Sequence, residues 1–160
     1  MIKNFTQLVL AAAVVAKDAH KTFEQIAVDN GYAVESYSVV TADGYVSQIY
    51  RIPGKVQEIG NQIEKPAVLM MHGLLCDMHF WVANDAELAP PFTLVNEGYD
   101  VWLGNNRGNR FAQAHTTLNR SQQEFWEFNF IDMGKYDTPA FIDFVLNKTG
   151  QSQLTYIGHS

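Results

Sequence analysis

The sequence predicts an α/β fold: a mainly parallel sheet with helices on its faces and an antiparallel hairpin at one edge. Three observations carry the prediction. Short apolar runs at 66–73 ("PAVLMMHG"), 99–105 ("YDVWLGN") and 153–158 ("QLTYIG") suit strands buried on both faces. Helix signals separate these runs. Ahead of them, 34–41 and 45–52 are rich in Val, Ile, Tyr and Thr, with "ADG" turn chemistry nearby.

Taken in order, the chain opens with Lys3 and then a nine-residue apolar run, "LVLAAAVVA" (8–16), before the polar "KDAH". That run is too short to span a bilayer and has the length of a signal-peptide hydrophobic core. Val14 and Ala16 fit the small residues that precede a cleavage site. Residues 1–19 are therefore expected to be a secretory signal and 20–160 a single partial domain. The hairpin follows at 34–52, then a polar, exposed loop at 54–65. Residues 88–98 ("LAPPFTLVNEG") predict a helix, with Pro90 and Pro91 in its first turn and Gly98 at its end. Residues 138–150 ("TPAFIDFVLNKTG") predict another, with Thr138 as N-cap, Pro139 at the first helical position and Gly150 as stop. Ala140, Phe141, Phe144 and Val145 share one face of it.

The net charge of −6 comes from scattered acidic residues, and the sequence lacks the basic stripe of a nucleic-acid binder. Cys76 is the only cysteine, so no intrachain disulfide is possible. Asn119 ("NRS") and Asn147 ("NKT") are glycosylation acceptor patterns; "NFT" at Asn4 falls within the signal.

The chemistry begins at "LTYIGHS". Gly158-His159-Ser160 after an apolar strand is the first half of G-x-S-x-G, in which serine sits on a strained strand-to-helix turn. "HGLL" (72–75) also follows an apolar strand and can lift a backbone N–H, that of Leu74, toward the serine. The His72 side chain is read as a locally bonded turn residue. "LGNNRGN" (103–109) forms a loop at the carboxyl end of a strand, where open α/β sheets keep their sites. There Arg107 is either a substrate contact or, preferably, a residue that pins the loop. The aromatics of 124–150 are read as core and helix-packing residues rather than as a lipid site. Asp132, Asp137 and Asp143 precede the serine, against the Ser…acid…His order of such hydrolases, and are read as caps or surface residues. His79 and His115 are in loops with no acid placed by any motif, His20 is expected in the cleaved or flexible start, and His159 next to the serine is expected to point away from it.

"YSVVTADGYVSQIYRIP", "HGLLCDMHFWV", "GYDVWLGNNRGN" and "EFWEFNFIDMGKYDTPAFIDFVLNKTGQSQLTYIGHS" together resemble the acid lipase family, from about residue 24 to residue 160. The resemblance implies the N-terminal portion of an α/β-hydrolase fold. It implies cleavage of triacylglycerols or steryl esters at a lipid–water interface, in the secretory pathway, with no cofactor and no metal. It implies Ser160 as nucleophile and Leu74 as one backbone oxyanion donor. The second donor, the cap and the triad Asp and His have no counterpart in these residues. The chain is thus expected to represent the first two-fifths of a family member, inactive and poorly soluble alone. The alternative is a non-catalytic lipid-binding or interaction remnant of the same fold. The choice of ester and the oligomeric state are left open.

Overall fold

The computed structural model describes residues 18–60 and 64–160. All but the last two positions of the expected signal segment lie outside the described residues. The first element is helix α1 (Phe23–Asp29). Thr22 accepts from the Gln25 N–H and the Gln25 side chain accepts from the Thr22 N–H, so two otherwise orphaned donors are satisfied. The "T-x-x-Q" spacing carried this signal, and the sequence reading passed over it.

Strands β1 (Glu35–Val40) and β2 (Tyr45–Ile52) form the expected antiparallel hairpin, in register from Glu35 opposite Arg51 to Val40 opposite Val46. Strands β3 (Ala67–Met71) and β4 (Asp100–Gly104) are parallel neighbours, and all ten of their residues are buried. A two-residue strand, β5 (Ala114–His115), pairs with the start of β2. Strand β6 (Thr155–Gly158) runs parallel to β3. The order across the sheet is β1-β2-β4-β3-β6, so the hairpin occupies one side as predicted.

Burial on both faces explains the continuous apolar runs. Val68, Met70, Val101 and Leu103 pack on one side with Phe23 and Ile26 of α1 and with Phe92 and Val95 of helix α2 (Pro90–Asn96). Leu69, Met71 and Trp102 pack on the other side with Phe141 and Val145. Ala140 and Phe144 lie against the same cluster, which matches the predicted face. Strand β6 departs from expectation, because it is the outer strand of the described sheet and Tyr156 on it is 45% exposed.

The helix at 138–150 needs a correction. It does not start at Thr138. A short helix, α3 (Phe130–Asp132), capped by Asn129, leads through a π-helical turn (Met133–Asp137) directly into α4 (Thr138–Thr149). Asp137 has helical backbone angles, and the Thr138 N–H donates to the Met133 carbonyl five residues back. Proline inside an α-helix removes a bond and collides with the carbonyl four residues earlier; the wider π turn opens the ladder just where Pro139 would do so. Gly150 does stop the helix, at φ 72°.

No helix among the described residues is long and apolar enough to cross a membrane.

Candidate active site

Strands β3 and β6 end side by side. Gly158 is in register with Met71, and the His159 N–H donates to the Met71 carbonyl at 3.0 Å. This parallel pairing brings the turn after β3 against the turn after β6. Contact is close: a Cβ built on Gly73 would lie 3.1 Å from the Ser160 Cβ and 2.9 Å from the His159 Nδ1. Only glycine fits there without displacing the serine. Ser160 has a φ of 58°, in the left-handed region that L-residues rarely enter. Ser160 thus stands just past the end of β6 with a left-handed backbone, where the Gly-x-Ser half-motif predicts a turn.

The Gly73 turn is tight. The Cys76 N–H donates to the Gly73 carbonyl at 3.1 Å. Leu75, the third residue of this turn, has φ 64°, while Leu74 before it does not have positive φ. Positive φ at the third position alone is the type II signature, which normally calls for glycine. Leu75 is 98% exposed, so packing does not compensate the strain. Among the described residues the Leu74 N–H donates no hydrogen bond.

His72 is buried beneath this turn. Its Nδ1–H donates to the Gly73 carbonyl at 2.9 Å. Its Nε2 accepts from the Asn106 backbone N–H and from the Asn109 amide, both at 3.1 Å. These partners select the neutral Nδ1–H tautomer, and burial holds the ring below its ordinary pKa. The ring joins the β3 turn to the β4 loop.

That loop is anchored by Arg107, as the sequence favoured. Its guanidinium is buried and binds Asp43 through Nη1 (2.7 Å) and Nη2 (2.9 Å). It also binds Asp137 through Nε (2.8 Å) and Nη2 (2.7 Å), and its backbone N–H donates to the same carboxylate at 2.9 Å. The Tyr45 ring lies 4.0 Å beneath it. Burial would lower the Arg107 pKa, yet the two carboxylates carry it above its ordinary value. Burial also raises Asp43, but bonds from Arg107 and Thr41 outweigh it and hold that carboxyl below its ordinary range. Asp137 corrects the sequence reading. It is fully buried, neither a cap nor a surface residue, because the π turn rotates it inward onto Arg107. Asp132 does cap, in a reciprocal pair with Asn129, and Asp143 is exposed.

The remaining histidines have other partners. The His159 ring stacks on Phe80 at 4.4 Å. His115 holds the Asp43 carbonyl and the Thr117 and Leu118 N–H groups. His79 does have an acid beside it, contrary to expectation. Asp77, which caps the 3₁₀ turn Met78–Val82, sits 2.9 Å from its Nδ1. His79 nevertheless packs between Phe23 and Phe111, and it lines neither cavity at the turn. His20 lies in an exposed turn.

Ser160, His72, Leu74, Asn106, Phe130 and Tyr156 share a cavity of about 410 Å³. A second, also of about 410 Å³, adjoins it across Leu74 and Met133 and is lined by Leu75, Trp126 and Phe128. The aromatics of 124–130 therefore divide. Phe125 is core as expected, whereas Phe130 is 70% exposed and Trp126 44% exposed around these cavities. No cluster of three or more metal-ligating side chains occurs among the described residues.

The chain is similar to known proteins over most of its length. A model described as a partial alpha/beta-hydrolase lipase region matches residues 23–85, and one described as alpha/beta hydrolase fold matches 66–160. Over 130 residues the chain is 48% identical to human lysosomal acid lipase/cholesteryl ester hydrolase and 47% identical to human gastric triacylglycerol lipase, covering 81% of this chain and 33% of each relative. Mouse lipase member N is 46% identical over 136 residues, 85% of this chain and 34% of that protein. The chain thus spans about a third of the length of these relatives. The esterase Est22 superposes with a TM-score of 0.57 at 18% identity, over 97% of this chain and 42% of that one, which is a likeness of fold.

Proposed function

The chain belongs to the α/β-hydrolase fold family and within it to the acid lipases, and from that premise we propose that the whole protein is a serine ester hydrolase acting on triacylglycerols or steryl esters. Ser160 is the nucleophile and the Leu74 N–H one of the donors that hold the developing oxyanion. The observation that carries this reading is the apposition of a left-handed Ser160 and Gly73, with Leu74 lining the same cavity. Donors fixed before reaction stabilise the tetrahedral intermediate without reorganisation, and removing one costs about 10²–10³ in kcat in hydrolases of known mechanism.

A serine hydroxyl needs a base, and the base an orienting acid. Of the histidines in the described residues, only His72 and His159 line the cavity with Ser160. His72 has both nitrogens committed, and the His159 ring stacks on Phe80. We therefore infer that residues 1–160 alone do not turn over ester. The protein is assigned to the secretory pathway, secreted or lysosomal, in line with the apolar N-terminal run and the compartments named for its relatives.

The test uses the protein as expressed from its own gene. Hydrolysis of triacylglycerol and cholesteryl ester emulsions is compared between wild type and Ser160→Ala, with fluorophosphonate labelling mapped by peptide mass. Label on Ser160 and loss of turnover in the variant are expected. Label on another serine, or turnover that survives S160A, overturns the reading.

A further inference from the structure

The His72 ring has a role that neither the G-x-S half-motif nor the family likeness assigns. We propose that His72 is a positioning residue for the oxyanion donor: through its Nδ1–H it fixes the plane of the Gly73–Leu74 peptide and so aims the Leu74 N–H. The proposal rests on the hydrolase reading above for its catalytic meaning.

The argument is geometric. The Gly73–Leu74 peptide is trans, as are all peptide bonds of the described chain. In a planar trans peptide the carbonyl and the following N–H point in opposite directions. Holding the Gly73 oxygen therefore holds the Leu74 N–H on the other side. Two donors hold that oxygen, the His72 Nδ1–H at 2.9 Å and the Cys76 N–H at 3.1 Å. The Cys76 bond belongs to the turn itself. A turn with a strained, fully exposed Leu75 at its third position is poorly defended against a flip of its peptides. His72 is the clamp that comes from outside the turn.

The clamp is itself braced. Nε2 accepts from Asn106 and Asn109, so the ring cannot rotate without losing two bonds. Asn109 also donates to the Asn105 side chain at 3.0 Å, and the next residue after Asn106 is the buried Arg107. Orientation thus passes from the Arg107 anchor through the β4 loop to the ring, and from the ring to the peptide.

Two substitutions separate aim from mere packing. An Asn side chain places its amide nitrogen near the Nδ1 position, so His72→Asn keeps the donor to Gly73 and loses the acceptor for Asn106. A Gln side chain reaches the Nε2 position, so His72→Gln keeps that acceptor and loses the donor to Gly73. H72Q loses one of the ring's three bonds and H72N loses two, so a purely structural role predicts the larger effect from H72N. Positioning predicts that H72Q lowers kcat about tenfold to a hundredfold, short of complete donor loss, with KM little changed. It predicts that H72N, which keeps the donor to Gly73 but loses the brace, lowers kcat less than H72Q does. Equal losses, or a larger loss in H72N, overturn the proposal. In the same ¹⁵N-labelled proteins the Leu74 amide resonance is expected to shift more in H72Q than in H72N. If the wild type turns over no ester, the hydrolase reading fails by itself, and the amide resonance decides on the clamp: an unmoved Leu74 signal in H72Q overturns it.

Discussion

Asp137→Ala tests whether the β4 loop is held by a buried ion pair. The wild-type carboxylate is fully buried and accepts two hydrogen bonds from Arg107, at 2.8 and 2.9 Å, with Nη2 in ion-pair contact at 2.7 Å. Breaking a buried pair by removing one partner costs about 3–5 kcal/mol, because a charge is left behind without compensation. Here Arg107 would keep two bonds to Asp43, which is partly solvated, and its stacking on Tyr45. The lower end of that range, about 3 kcal/mol, is therefore expected. Against a total stability of about 5–15 kcal/mol this is a large fraction. The measurement is urea unfolding followed by tryptophan fluorescence, on wild type, D137A and the double variant Arg107→Met, Asp137→Leu. The double variant removes both charges and fills the space, so it is expected to lose less than D137A alone. If D137A lies within about 1 kcal/mol of wild type, or the double variant is the less stable, the pair is not what anchors the loop.

Gly73→Ala should push Ser160 aside, since the new methyl meets its Cβ at 3.1 Å; turnover is expected to fall about tenfold to a hundredfold in a steady-state ester assay, and unchanged turnover would contradict the apposition. Leu75→Gly relieves a φ of 64° at a residue with no buried surface to lose. The relief of about 1–2 kcal/mol is offset by about 0.5–1 kcal/mol of glycine entropy, so thermal unfolding should show a neutral to slightly raised midpoint. His72 and His79 both bind their protons less tightly when folded than the ordinary value of 6.5, burial being the chief cause. The unfolded chain then binds more protons between 6.5 and the lowered folded values. Their stability contribution is whole above 6.5 and is lost as pH falls through that window, by at most about 1.4 kcal/mol per pH unit for each. His79→Phe, which keeps the stacking on Phe111, should flatten the slope in denaturation series between neutral and mildly acidic pH.

What the sequence makes legible is what neighbours in the chain decide. β3 and β4 could be read because each apolar run is too short for a helix and is bounded by Pro66 and Gly73 or by Gly98 and Gly104. The hairpin could be read from its turn residues, and the Gly73 and Ser160 turns from glycine after an apolar run. Contacts across long separations could not. Asp43 and Asp137 stand 64 and 30 residues from Arg107, and no local pattern couples them. Thr138-Pro139 imitates a helix start so well that the preceding π turn is hidden. His72 illustrates the same limit: its turn was legible, but its brace on Asn106, 34 residues away, was not.

The π turn at Met133–Asp137 sets a rule for chain length in this segment. It holds one residue more than an α-helix needs for the same advance, so the stretch carries a spare residue that ordinary helices lack. Deleting a single residue between Gly134 and Tyr136 would let the helix run as plain α with both of its ends in place. Phe130 would then stay at the mouth of the serine cavity, and the Asn129 cap with it. A second deletion would have no spare residue to remove and would turn everything before it by about 100° about the axis. The segment is expected to tolerate the loss of one residue and not of two.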